Sequence, residues 1–170
     1  MDKITNNIEN KLPIYLVIIA VIVIFCIITF GNKGATNPNT TFDVSSFNKV
    51  TSQDVLDFID DKETKIIVIG SKNCSATEYF VPTMEISQAK GSYVINYLEL
   101  LDEDPKSESY KELVNKMTLM VTYEGEEKEL KDYMGSTPMI FIVKNKKIVY
   151  GTVGTMSETA LTQLANTYGV

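Results

Sequence analysis

Between Lys11 and Lys33 the chain carries no charged residue, and Leu12 to Phe30 reads LPIYLVIIAVIVIFCIITF. As a helix rising 1.5 Å per residue this run covers about 28 Å, close to the roughly 30 Å hydrocarbon thickness of a bilayer. A cleaved signal peptide has a shorter apolar region, roughly 7–15 residues, ending at small residues. Phe30-Gly31-Asn32 offers no such site. Residues 12–30 are therefore predicted to form one transmembrane signal-anchor helix behind a short tail over 1–11, and the remaining chain must fold outside the bilayer. Cys26 follows Phe25, where a lipidation motif needs a small residue, so it reads as a small apolar side chain facing lipid. Lys3, Lys11 and the amino terminus on one side outweigh Lys33 on the other, which places the tail inside and the C-terminal domain outside the cell membrane.

Composition removes several chemistries. The 16 basic residues are all lysine, histidine and tryptophan are absent, and the formal charge is -6. Without histidine there is no serine-histidine or cysteine-histidine hydrolase and no imidazole ligand for a metal. Two cysteines cannot build a thiolate metal site, so neither metal nor cofactor is expected. An acidic chain without arginine also lacks the basic patch that nucleic-acid binding requires. The acidic residues Asp102, Glu103 and Asp104, and Glu124, Glu126, Glu127 and Glu129, read as solvated surface, because their spacing matches no EF-hand loop.

Residues 31–41, GNKGATNPNTT, are polar and rich in Gly, Asn and Thr, the composition of a flexible tether. Fully extended it reaches at most about 36–40 Å. A domain over 42–170 follows. Thr51 or Ser52 caps a helix that carries Val55, Phe58 and Ile59 at helical spacing and ends near Asp61. Lys65 to Gly70, KIIVIG, is too densely apolar for a half-exposed strand and suits one covered on both faces. Glu78 to Lys90 reads as a helix interrupted by Pro82, with Tyr79 and Phe80 in the core. Tyr93 to Leu100 is a strand, with Tyr93 in the core.

Ser107 to Met117 and Glu126 to Met134 read as helices, and Thr118 to Tyr123 fits either an added strand or a continued helix. Pro138 to Lys144 and Lys147 to Val153 bracket Asn145-Lys146, a two-residue turn that makes them a hairpin. Ser157 caps a last helix bearing Leu161, Leu164, Ala165 and Tyr168. Strand-helix-strand units at the front predict parallel pairing, and the terminal hairpin adds an antiparallel edge.

Three features in order make the domain resemble the thioredoxin superfamily. Members place a reactive Cys-x-x-Cys after a buried strand at the start of a helix; here KIIVIG precedes Cys74-Ser75-Ala76-Thr77. Many have a helix-kinking proline five residues past the motif, where this chain has Pro82. They also carry a cis-proline before the terminal hairpin, matched by Ser136-Thr137-Pro138 before MIFIVKNKKIVYGTVG. The resemblance implies an α/β fold of three layers with a mixed sheet, Cys74 as candidate nucleophile, and Thr137 and Pro138 as a candidate groove for a protein or peptide partner. It is also loosely similar to the thioredoxin-fold accessory proteins of bacteriocin export, which tend toward degenerate motifs.

The departures set the functional alternatives. Thr77 stands at the position of the resolving cysteine and Asn73 where tryptophan is common. A thiolate at a helix N-terminus faces unpaired N–H groups and the positive end of the helix dipole, which lowers its pKa, and the Thr77 hydroxyl is placed to hydrogen-bond it. Lys72 would add to the effect if it turned inward. With no second thiol in the domain, Cys74 cannot close an internal disulfide. The expectation is a membrane-anchored extracytoplasmic protein that exchanges or isomerises disulfides of secreted proteins through one thiol. The alternative is a non-catalytic thioredoxin-fold adaptor or accessory subunit of a membrane or export complex.

Overall fold

The structure, a computed structural model, describes residues 42–170. The predicted spanning helix over 12–30 and the tether over 31–41 lie outside the described residues, and among those described no helix is long and apolar enough to cross a membrane.

Strand β2 (Lys65–Gly70) is buried from Ile66 onward, and its side chains alternate between two cores as the period of a strand requires. Ile67 and Ile69 enter one core, Ile66 and Val68 the other. This double burial explains why KIIVIG shows no polar alternation. Beside β2 lie β3 (Ile95–Glu99), parallel, and β6 (Met139–Lys144), antiparallel. A two-residue strand β1 (Asn48–Lys49), too short to show an apolar pattern, joins β3, and β7 (Lys147–Val153) joins β6. The sheet order is β1-β3-β2-β6-β7.

Helices cover both faces. Helix α1 (Ser52–Asp60) starts at a reciprocal capping box between Thr51 and Asp54. It packs with α3 (Glu108–Lys116) over Ile67, Ile69, Leu98 and Phe141. Helices α2 (Ser75–Gly91) and α4 (Glu158–Tyr168) cover Ile66, Val68, Ile140 and Ile142 on the other side. The result is the expected three-layer α/β arrangement around a mixed sheet.

Four local expectations need correction. Helix α2 begins at Ser75 rather than Glu78 and continues through Pro82. Tyr93 is buried but lies before β3, which starts at Ile95. Tyr79 is 79% exposed; Phe80, Met84 and Ser87 form the buried stripe of α2, and Tyr79, about 100° around the helix from Phe80, faces out.

The fourth concerns residues 126–134. Glu126–Glu129 is a strand, β5, pairing antiparallel with β4 (Met120–Tyr123), and Leu130–Tyr133 is a 3-10 turn. The undecided segment over 118–123 is thus largely a strand. Glu124 and Gly125 have φ of 52° and 82°, the pair of left-handed residues that closes a tight hairpin. Strand pairing and the burial of Leu130 and Tyr133 override the local helix preference of EEKEL. The predicted Asn145-Lys146 turn has the same geometry, with φ of 50° and 65°.

Candidate functional site

β2 ends at Gly70, and the chain turns through Ser71 to Asn73 into α2. The Cys74 N–H donates to the Ser71 carbonyl at 2.9 Å, and the Cys74 carbonyl accepts from the Glu78 N–H at 3.0 Å. Cys74 is thus the N-cap of α2, but its side chain makes no capping bond, leaving the sulfur available to face the cleft. Because β2 and β6 are paired in register, with Ile69 opposite Met139, the segment before β6 arrives at the same end of the sheet. The Thr137-Pro138 peptide bond is cis, and the Cys74 Sγ donates to the Thr137 carbonyl at 3.1 Å. The structure therefore brings together Cys74, Thr77, Thr137 and Pro138, with Thr137 and Cys74 lining one open cleft.

Thr77 is fully buried one turn into α2. Its Oγ1 accepts weakly from the Ser71 N–H at 3.4 Å, and its hydroxyl is near enough to Cys74 to favour the thiolate. One donor and two lone pairs allow both roles at once.

Two opposing effects act on the thiol. Partial burial pushes its pKa up; the Thr137 side chain, the Thr77 N–H and hydroxyl, and the Ala76 N–H push it down, and together they hold it below its ordinary value. The Thr137 carbonyl contact works the other way, since it accepts a bond only from the protonated thiol. Several donors against one carbonyl leave the net direction downward. Lys72 takes no part, because its Nζ is ion-paired with Asp102 at 3.1 Å in solvent.

Behind the thiol, Glu99 binds the loop together. Its carboxylate accepts from the Lys72 N–H at 3.1 and 3.0 Å, from the Leu101 N–H at 3.3 Å and from the Tyr97 hydroxyl at 3.3 Å. Tyr97 is almost wholly buried, and burial, reinforced by Glu99, raises its pKa so that it stays a neutral donor. Sequence reasoning did not single out Glu99, nor Leu101 and Tyr123, which line the cleft together with Thr137. Only the Tyr123-Glu124-Gly125 turn could have signalled that a hairpin carries Tyr123 there.

The sheet order, the helix pairs on each face, a cysteine at the start of the helix after β2 and a cis-proline before β6 are together a thioredoxin-like fold. No family model matches the chain and no curated protein matches it. Among solved structures it is similar to a thioredoxin of Plasmodium falciparum, at 20% identity and a TM-score of 0.48 over 71% of this chain and 98% of that one. It is similar also to mitochondrial thioredoxin 3 of Saccharomyces cerevisiae, at 12% identity and a TM-score of 0.47 over 72% and 95%.

Proposed function

We propose that this is a membrane-anchored, extracytoplasmic thioredoxin-like protein that performs disulfide exchange or isomerisation on secreted proteins through the single thiol of Cys74. The observation that supports this reading best is the place of Sγ at the N-terminus of α2, in the open cleft and 3.1 Å from the Thr137 carbonyl, where its pKa is held below the ordinary value. In the first step the thiolate attacks one sulfur of a client disulfide. The Cys74–client bond forms as the client disulfide breaks, and the second client sulfur leaves as a thiolate. Isomerisation needs no added oxidant or reductant, because a client thiol then attacks the mixed disulfide and regenerates Cys74. Thr137 and Pro138 form the peptide groove beside the sulfur, and once Sγ has bonded to the client the Thr137 carbonyl, which holds the thiol at 3.1 Å, is released for strand-like pairing with it. Residues 12–30 supply the anchor.

Trapping tests the thiol. The wild-type chain should capture clients as mixed disulfides sensitive to reductant, and a Cys74→Ser variant should capture none. Equal capture by both would instead support the adaptor reading, which the burial of Thr77 at the resolving position favours. Protease added to intact cells should remove the C-terminal domain; complete protection would refute the proposed orientation.

A further inference from the structure

One wall of the Cys74 cleft is apolar and uncovered. Leu101, 49% exposed, stands in the 3-10 turn that follows β3. Tyr123 closes β4 and holds its ring edge-on to Tyr133, with centroids 5.6 Å apart. Both line the cleft with Cys74 and Thr137. An exposed leucine alone needs no explanation. Here it is paired with a fixed aromatic ring beside the free thiol of the described residues, where a peptide joined to Sγ must place its neighbouring side chain.

The charges around that wall are unbalanced. Within two positions of the cleft-lining residues stand Glu99, Asp102, Glu103 and Glu124, against the single cation Lys72. Lys72 is already committed to Asp102. Glu103 is turned away onto the Ser52 N–H and hydroxyl at the start of α1, so Glu99, Asp102 and Glu124 against Lys72 leave an excess of two negative charges around the cleft, which repels an anionic disulfide and attracts a cationic one.

We infer that the cleft takes a cationic, disulfide-bearing peptide segment with an apolar side chain next to the cystine, the apolar group against Leu101 and Tyr123 and the lysines or arginines against the rim. The inference rests on the thiol reading above and uses the same balanced exchange. Client cations serve a second purpose, since they stabilise the departing client thiolate and a leaving thiol of lower pKa departs faster. Tyr123 and Leu101 act as specificity residues; they touch the client, not the reacting sulfur.

The test follows mixed-disulfide formation by the full chain with three synthetic peptides of equal length, each with one disulfide. One has Lys and Leu beside the cystine, one Glu and Leu, one Lys and Ser; a neutral small disulfide is the reference. At low ionic strength the Lys-Leu peptide should react at least about tenfold faster than the Glu-Leu peptide, a gap that shrinks in high salt. It should also outpace the Lys-Ser peptide, and Tyr123→Ala should narrow that second gap. A double Asp102→Asn, Glu124→Gln variant should narrow the first. Reaction with the neutral disulfide but equal rates for the Lys-Leu and Glu-Leu peptides would overturn the inference alone. Failure to react with any disulfide would remove the thiol reading, and the inference with it.

Discussion

The sulfur of Cys74 lies 3.1 Å from the carbonyl oxygen of Thr137, a residue 63 positions later in the chain. The contact exists because β2 and β6 are neighbours, so the loop leaving one strand meets the loop entering the other. It makes thiol ionisation depend on both.

Alkylation should show this. Cys74 in the folded chain should react with iodoacetamide with an apparent pKa below that of an unstructured cysteine, about 8.5. An apparent pKa of 8.5 or higher in the folded chain would contradict a depressed thiol pKa.

Stability should follow the same shift. The folded thiol binds its proton less tightly than the unfolded one, so unfolding takes up a proton between the two pKa values. The contribution is fully present above the unfolded pKa and is lost as pH falls through the folded one. Urea melts of wild type and Cys74→Ala should differ more at pH 9 than at pH 6; a constant difference would argue against a depressed thiol pKa.

Thr77→Val keeps the shape of the side chain and removes its hydroxyl. The Ser71 N–H then loses its acceptor and Cys74 a donor. Stability should fall by about 1–3 kcal/mol, with the alkylation pKa rising; Thr77→Ser should retain most of both. A valine variant with an unchanged alkylation profile would show that the hydroxyl does not act on the sulfur.

Gly70→Ala probes the packing under the site. A methyl there would lie 2.4 Å from the Tyr97 hydroxyl oxygen and 2.7 Å from the Thr77 Cγ2. Both side chains are buried, so relief requires moving the groups behind Cys74. The expected loss is about 1–3 kcal/mol in chemical denaturation, and Tyr97→Phe in the same chain should recover part of it. A wild-type midpoint for Gly70→Ala would mean the pocket yields freely.

Asn96→Leu separates fold from site. The Asn96 Nδ2 donates to the Ile66 carbonyl at 3.0 Å and its Oδ1 accepts from Asn48 at 2.8 Å, fastening β1 to β3. The variant should lose about 1–3 kcal/mol while the Cys74 alkylation profile stays in place. A shifted profile would reveal coupling from the sheet edge to the thiol.

The parts of this architecture legible in sequence were those where one local signal sufficed. KIIVIG marks a doubly covered strand because burial on both faces leaves no room for polar residues, and Asn145-Lys146 marks a turn because two polar residues, the first one tolerant of a left-handed backbone, separate two apolar runs. Cys74 and Thr137-Pro138 were recognisable by their places relative to those strands. Glu126 to Glu129 was misread because its four charged residues carry no strand pattern; only pairing with β4 makes them a strand. Tyr79 was misplaced because α2 has apolar residues on two sides, and only the sheet decides which is buried. Glu99 reaches the loop behind the thiol, and Leu101 and Tyr123 reach the cleft, through contacts between segments far apart in sequence.

Thr77 bears finally on time. A second sulfur one turn along the helix would let an adduct on Cys74 expel itself, on a schedule set by the protein. A buried hydroxyl bonded to the Ser71 N–H offers no such exit. The lifetime of any adduct becomes a property of the surroundings, shortened where free thiols are plentiful and prolonged where they are scarce. The fraction of chains found occupied would then gauge the local thiol supply.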